Sequence, residues 1–236
     1  MKYAFTNGKV ITGERDCDIK ENLVILTDGE KITSLVEKVA ADISGYKEID
    51  LKGGYIMPGL INMHVHLAGN GKPQKKQRDN AKLVKTIMAN GLTRAVAYKM
   101  VASFAKIELL SGVTTIRTVG GLGSFDTRLR DEIAAGKKDG PRILAANQGI
   151  SVPGGHMAGS VAVAVTSEEE AAKLVDECVK EKVDLIKLMI TGGVLDAKQK
   201  GVPGELKMPP EIVRAACERA HEAGLKVAAH VESPIG

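Results

Sequence analysis

An α/β fold with parallel strands, preceded by a small all-β unit, follows from three features of this 236-residue sequence. From Leu60 onward, β-prone runs alternate with helical ones, as in chains of βα units. Aromatic residues are only 3% and Trp is absent, whereas 44% of residues are hydrophobic, so the core is built from Val, Ile, Leu and Ala, which suits parallel strands under helices. Before residue 58, short β-prone runs are separated by turn sequences, with no helical period. The expected organisation is therefore a β unit over residues 1–57 and an α/β unit over 58–236.

In the first unit the strands expected are Tyr3 to Thr6, Lys9 to Thr12, Leu23 to Thr27, Ile32 to Val36 and Glu48 to Leu51, with turns at Asn7-Gly8, Asp28-Gly29 and Lys52-Gly53-Gly54. In the second they are Leu60 to His66, Val113 to Val119, Arg142 to Asn147, Leu185 to Ile190 and Lys226 to Val231. Asn80 to Leu110 is rich in Ala, Lys, Leu and Val and reads as helix, with Gly91 as its break. Ser167-Glu168-Glu169-Glu170 is a capping box, and Ala171, Leu174, Val175, Cys178 and Val179 fall at helical spacing behind it as an inward stripe. Pro209-Pro210 opens another helix, lined by Ile212, Val213, Ala216 and Ala220 and stopped by Gly224.

Charge and cysteine usage exclude several function classes. A balance of 33 basic against 29 acidic residues is too mild to imply nucleic acid or an anionic membrane. The densest basic run, Lys72, Lys75, Lys76 and Arg78, has no interleaved aromatic and reads as a solvated loop. Cys17, Cys178 and Cys217 are odd in number and form no C-x-x-C pair, which argues against a disulfide framework or a cysteine zinc cluster and for a reduced, cytoplasmic protein. No stretch reads as a signal peptide or a membrane span.

The most informative stretch is Pro58-Gly59-Leu60-Ile61-Asn62-Met63-His64-Val65-His66. On a strand, His64 and His66 share one face with Cα atoms about 6.6 Å apart, close enough to grip one cation. In isolation the same pattern also fits two histidines on an ordinary buried strand. The Pro-Gly entry, Leu60-Ile61 and His-Val-His resemble the first barrel strand of the amidohydrolase superfamily, in particular its imidazolonepropionase-like branch of dipeptidases and related amide hydrolases. The resemblance implies a (β/α)8 TIM barrel of which the chain holds about the first five strands, with the β unit as part of a small sandwich. An eight-unit barrel takes about 250 residues, so the chain is expected to be the front part of a longer protein.

The family pattern further implies a lysine on the fourth barrel strand, a histidine on the fifth, and a later histidine and aspartate. Lys187 matches the first, within the apolar run Asp184-Leu185-Ile186-Lys187-Leu188-Met189-Ile190, where a charged ammonium is costly. Burial lowers a lysine pKa, and a neutral amine can take up carbon dioxide to become a carbamate that bridges two metal ions. A lysine that snorkels to water from a strand end is the competing reading. His230 matches the fifth-strand ligand and lies at the strand's C-terminal end, where parallel barrels place their chemistry; a satisfied core histidine competes with it. The later histidine and aspartate are not present in this chain, so its catalytic residue is unassigned.

Ser151-Val152-Pro153-Gly154-Gly155-His156-Met157-Ala158-Gly159 follows the third strand, and the resemblance implies a substrate contact by His156, although a flexible surface loop explains the glycines equally well. His221, near the end of its helix, is expected to face solvent or the helix C-terminus and not a metal. Gly69-Asn70-Gly71-Lys72 is followed by Pro73 where a phosphate loop needs Ser or Thr, and Gly121-Leu122-Gly123 lacks a third glycine. Asn62 stands where the family more often has aspartate.

The resulting expectation is a metal-dependent hydrolase of amide or dipeptide bonds, with divalent metal, zinc above all, on His64, His66, carboxylated Lys187 and His230. Its partner is a small-molecule amide or dipeptide. The rival is a truncated, noncatalytic partial barrel that binds metal weakly or pairs with a second chain, as a homo-oligomer does, through its unpaired strand edge.

Overall fold

The computed structural model describes residues 1–15, 18–71, 79–194 and 203–236. Cys17 and the basic run from Lys72 to Arg78 lie outside the described residues. The chain divides into two compact units, Met1–Gly59 and Leu60–Gly236.

The first unit is one mixed sheet of β1 (Lys2–Ile11), β2 (Ile19–Asp28), β3 (Lys31–Glu37), β4 (Lys47–Asp50) and β5 (Tyr55–Ile56). Its order is β3-β2-β1-β4, with β5 also on β1. β1 and β2, and β2 and β3, pair antiparallel, whereas β4 and β5 pair parallel to β1. One face of this sheet buries Ala4, Val24 and Leu26, joined by the partly buried Val36, Ala41, Ile43 and Tyr46. The expected turn at Asn7-Gly8 is absent. Asn7 adopts φ 54 and the β1–β2 register shifts between Phe5 and Gly8, so the left-handed residue is absorbed as a bulge inside one long strand.

The second unit runs β6 (Leu60–Val65), α1 (Asn80–Met88), α2 (Gly91–Leu110), β7 (Val113–Thr118), α3 (Phe125–Ala134), β8 (Arg142–Ala145), β9 (Gly149–Ser151), β10 (Ala162–Ala164), α4 (Glu168–Lys180), β11 (Leu185–Met189), α5 (Pro210–Glu222) and β12 (Lys226–His230). Its strands pair in parallel in two sheets, β6-β7-β8 and β10-β9-β11-β12. The sheets meet where the Asp184 N–H donates to the Ala145 carbonyl and the Ala145 N–H to Asp184 Oδ2, both at 2.8 Å. This is an α/β fold with parallel sheets.

Local chemistry explains the helix ends. Asn90 caps α2 by accepting from the Thr93 N–H at 2.9 Å, which makes Gly91 the first helical residue after the break. Ser167 accepts from the Glu170 N–H at 3.2 Å, and the Glu170 carboxylate reaches back to the Thr166 N–H at 2.7 Å, one residue beyond the usual box partner. Ala171, Val175 and Cys178 are buried as expected, but Val179 is 38% exposed, because it falls at the rim of the stripe in the last turn of α4. Beyond α5, Gly224 takes φ 74, and the Leu225 N–H donates to the Ala220 carbonyl at 2.9 Å. No helix among the described residues is long and apolar enough to cross a membrane.

Strand alternation sorts the side chains. Val65, Ile116, Ile143 and Ala145 pack under α2 and α3, and Ile186 and Leu188 pack under α4 and α5. Residues one position away on the same strands point to the opposite face. That opposite face carries His64, Arg117, Lys187 and His230, and on it Val119, Ala146 and Leu185 form a small buried cluster.

Candidate metal and active site

The paired histidines meet through an irregular strand end. β6 stops at Val65, and its register on β7 shifts between Asn62 and Val65. Asn62 Oδ1 accepts from the His64 N–H at 3.2 Å, a local bond that takes the place of regular ladder pairing there. His64 Nε2 and His66 Nε2 face each other at 3.3 Å, with the rings edge to face. On its other side, His66 Nδ1 lies 3.0 Å from the Gly120 carbonyl, which can only accept, so Nδ1 carries the proton and Nε2 presents its lone pair.

Lys187 is only 2% exposed, at the centre of the fully buried β11, and no carboxylate lies within ion-pair distance of it among the described residues. Burial, helped by the nearby Arg117 charge, pushes its ammonium down to about 8. Arg117 itself donates from Nε to the Met63 carbonyl at 2.8 Å, tying β7 to β6 beside His64. His230 pairs in register with Met189, one strand over and two residues past Lys187. Among the described residues its buried Nε2 makes no hydrogen bond, and Glu232 Oε1 lies at ion-pair distance, 3.4 Å away.

Electrostatics link these groups. His64 is pushed down to about 4 by burial first, then by Lys187, His66, His230 and Arg117. His66 is lowered mainly by burial, against the Gly120 carbonyl, and His230 by burial and then by His156. All three imidazoles are therefore biased toward the neutral form, the form that coordinates cations.

His156 is 8% exposed and stacks on His230, with ring centroids 4.1 Å apart and planes within 13°. Its loop is a packed turn: the Gly155 N–H donates to the Val152 carbonyl at 2.8 Å and Ser151 Oγ to the His156 carbonyl at 2.9 Å. The structure thus brings His64 to His66 and His156 to His230. It does not gather three His, Cys, Asp or Glu side chains into one cluster among the described residues.

Several neighbours of the site were not singled out from sequence: Arg117, Gly120, Gly193 and Asp126. One signal was available. Gly120-Gly121, Gly154-Gly155 and Gly192-Gly193 follow β7, β9 and β11, so a double glycine recurs just past the C-terminal end of three strands. At Gly120 and Gly193 an added Cβ would press on a histidine ring, 3.1 Å from His66 Cε1 and 2.6 Å from His156 Cε1.

Known proteins resemble the chain along this same architecture. A putative prolidase from Bifidobacterium longum superposes with a TM-score of 0.76 and 32% identity over 99% of this chain and 50% of that one. An Xaa-Pro dipeptidase solved with methionine in its active site superposes with a TM-score of 0.77 and 29% identity, over 98% of this chain and 57% of that one. A dihydroorotase from Wolbachia sp. subsp. Drosophila simulans (strain wRi) is 37% identical over 95 residues, 40% of this chain and 21% of that protein. The chain thus spans about half the length of these similar structures and a fifth of the dihydroorotase. The model of the amidohydrolase family, a family of hydrolytic enzymes, matches residues 55–236, a stretch that contains both histidine pairs and Lys187, and the chain belongs to that family.

Proposed function

We propose that the chain forms part of a metal-dependent hydrolase of carbon-nitrogen bonds in dipeptides or N-acyl amino acids. Residues 58–236 would be the first five-strand portion of a (β/α)8 TIM barrel, and residues 1–57 part of a small β-sandwich. The observation that carries this reading is the 3.3 Å approach of His64 Nε2 to His66 Nε2, with His66 Nδ1 already committed to Gly120. Two nitrogens each about 2.0–2.1 Å from a tetrahedral zinc ion are separated by about 3.3–3.4 Å, so the pair fits a shared cation. His230 Nε2, which makes no hydrogen bond among the described residues, and the buried Lys187, which has no ion-pair partner among them, fit the same chemistry, the latter as an amine that becomes an anion.

His64, His66, Lys187 and His230 would hold one or two divalent ions, zinc being the best match to the histidine donors. A bound ion supplies polarisation of the scissile carbonyl and a lowered water pKa. Lys187 Nζ would form a bond to the carbon of carbon dioxide and release a proton, leaving a carbamate with two donor oxygens. The Gly120 carbonyl holds His66 in the tautomer that frees Nε2. His156, stacked on His230, would contact substrate beside the scissile bond. The prolidase and Xaa-Pro dipeptidase resemblances support a dipeptide as substrate.

A second reading, a noncatalytic chain that binds metal weakly or pairs with another chain, draws on the absence of a three-ligand cluster among the described residues. One experiment separates them. Metal content is measured on protein purified without chelator, for wild type, His64→Ala and Lys187→Ala, alongside hydrolysis of Xaa-Pro dipeptides. One to two divalent ions per chain, reduced in both variants, supports the hydrolase. A metal-free, inactive wild type supports the second reading.

A further inference from the structure

The Asp126 carboxyl is a buried polar group that the proposed chemistry does not use. It is 1% exposed, in the first turn of α3, and among the described residues its Oδ2 makes no hydrogen bond of good geometry, with the buried hydroxyl of Thr118, itself unsatisfied, as the side chain that favours its charged form. An unsatisfied buried polar atom costs about 1–3 kcal/mol, so an apolar residue would serve packing better at this position. Its surroundings show what the carboxyl touches. A Cβ added to Gly121 would lie 2.5 Å from Asp126 Oδ2, 2.9 Å from Cγ and 3.0 Å from Oδ1, which means that the carboxyl rests against the glycine backbone itself.

Gly121 is bonded to Gly120, whose carbonyl accepts from His66 Nδ1. Gly120 holds φ +134, and its own missing Cβ would lie 3.1 Å from the His66 ring. His66, Gly120, Gly121 and Asp126 are therefore one continuous contact column, in which Gly120 holds a glycine-favouring φ and a side chain at Gly121 would displace the Asp126 carboxyl. The far end of the column is anchored. The Thr127 N–H donates to Asn147 Oδ1 at 3.0 Å, and the fully buried Asn147 donates from Nδ2 to Thr127 Oγ1 at 3.0 Å and to Glu181 Oε2 at 2.7 Å. The start of α3 is thus pinned to the end of β8 and to α4, and Asp126 has a fixed base from which to press on the turn.

We propose that Asp126 is a positioning residue for His66: its carboxyl wedges the Gly120–Gly121 turn so that the Gly120 carbonyl meets His66 Nδ1 and leaves Nε2 free. The metal site gives this its consequence, but the tautomer is a property of the metal-free protein. The test records histidine-ring ¹⁵N shifts of chelator-treated protein for wild type, Asp126→Ala, Asp126→Asn and Gly121→Ala, and zinc affinity by competition with a chromogenic chelator.

Wild type and Asp126→Asn, which keeps the shape, are expected to hold His66 as the Nδ1–H tautomer. Asp126→Ala and Gly121→Ala are expected to show a mixture and bind zinc about tenfold more weakly. Gly121→Ala disturbs the same contact from its other side and carries the test should Asp126→Ala not fold. An unmixed Nδ1–H tautomer in both disrupted variants, with only thermal stability lowered, would overturn the proposal. Wild type that binds no zinc but shows the tautomer shift on substitution would overturn the hydrolase reading and support the wedge.

Discussion

His156 and His230 lie face to face, 4.1 Å between ring centroids, although 74 residues of sequence and two strands separate them. The backbone of Gly193, just past β11, packs against both rings. Its absent Cβ would sit 2.6 Å from His156 Cε1, 2.7 Å from His156 Nδ1 and 3.2 Å from His230 Nε2. A side chain at this position would press on the rings, so the loop or the stack would have to shift.

Gly193→Ala should therefore separate the rings without touching either histidine. The expected outcome is a change in the ring proton shifts of both His156 and His230, with kcat/KM on a cleaved dipeptide lowered tenfold or more, equivalent to about 1.4 kcal/mol or more in the transition state. Gly193 is itself buried, so the added methyl should also lower Tm. Unchanged ring shifts in this variant would mean that the loop yields and the stack does not depend on it.

Lys187 offers a test of what its burial costs. An ammonium at 2% exposure with no carboxylate partner among the described residues forfeits hydration without the Coulomb return of an ion pair. Methionine has similar length and no charge. In protein freed of metal with chelator, Lys187→Met should raise stability by on the order of 1 kcal/mol or more, read as about 2–4 °C in Tm for a chain of this size. The same variant should retain less metal after purification in zinc. A fall in Tm would show that the ammonium is satisfied where it lies.

How much of this was legible from residues alone depended on how local the cause is. The helices α4 and α5 were readable because Ala171, Val175 and Cys178, or Ile212, Ala216 and Ala220, repeat at helical spacing behind a cap, and both causes lie within one helix. α3 was not picked out: Arg128, Arg130, Asp131 and Glu132 dilute a narrow stripe of Phe125, Leu129 and Ile133. β9 and β10 are three residues each, too short for alternation to register. In the site, His64 and His66 announced themselves by spacing. The partner of His66 did not, because Gly120 and Asp126 reach it only through the packing of β7 and α3, and sequence carries no direct trace of that juxtaposition. The Asn7-Gly8 pair shows the opposite error. Its residues have turn chemistry, yet pairing of β1 on both edges kept the strand going and turned a turn signal into a bulge.

Asp126 also makes a prediction about pH. Burial raises its pKa from 3.8 to about 6, against the favourable influence of Thr118. A carboxyl whose folded pKa lies above its unfolded one favours the folded state fully below pH 3.8, and that contribution is lost as pH rises through 6. A rise of that size corresponds to on the order of 3 kcal/mol, so wild type should lose up to that amount from this group between about pH 4 and pH 7. Asparagine does not titrate and keeps the shape. The Tm difference, Asp126→Asn minus wild type, should therefore grow with pH, near its minimum at about pH 4 and levelling off above about pH 7. Thermal melts at half-unit steps measure it directly. A difference that stays flat across this range would mean that the carboxyl is already hydrated or paired when folded, and the wedge against Gly121 would then be acting without the desolvation its burial implies.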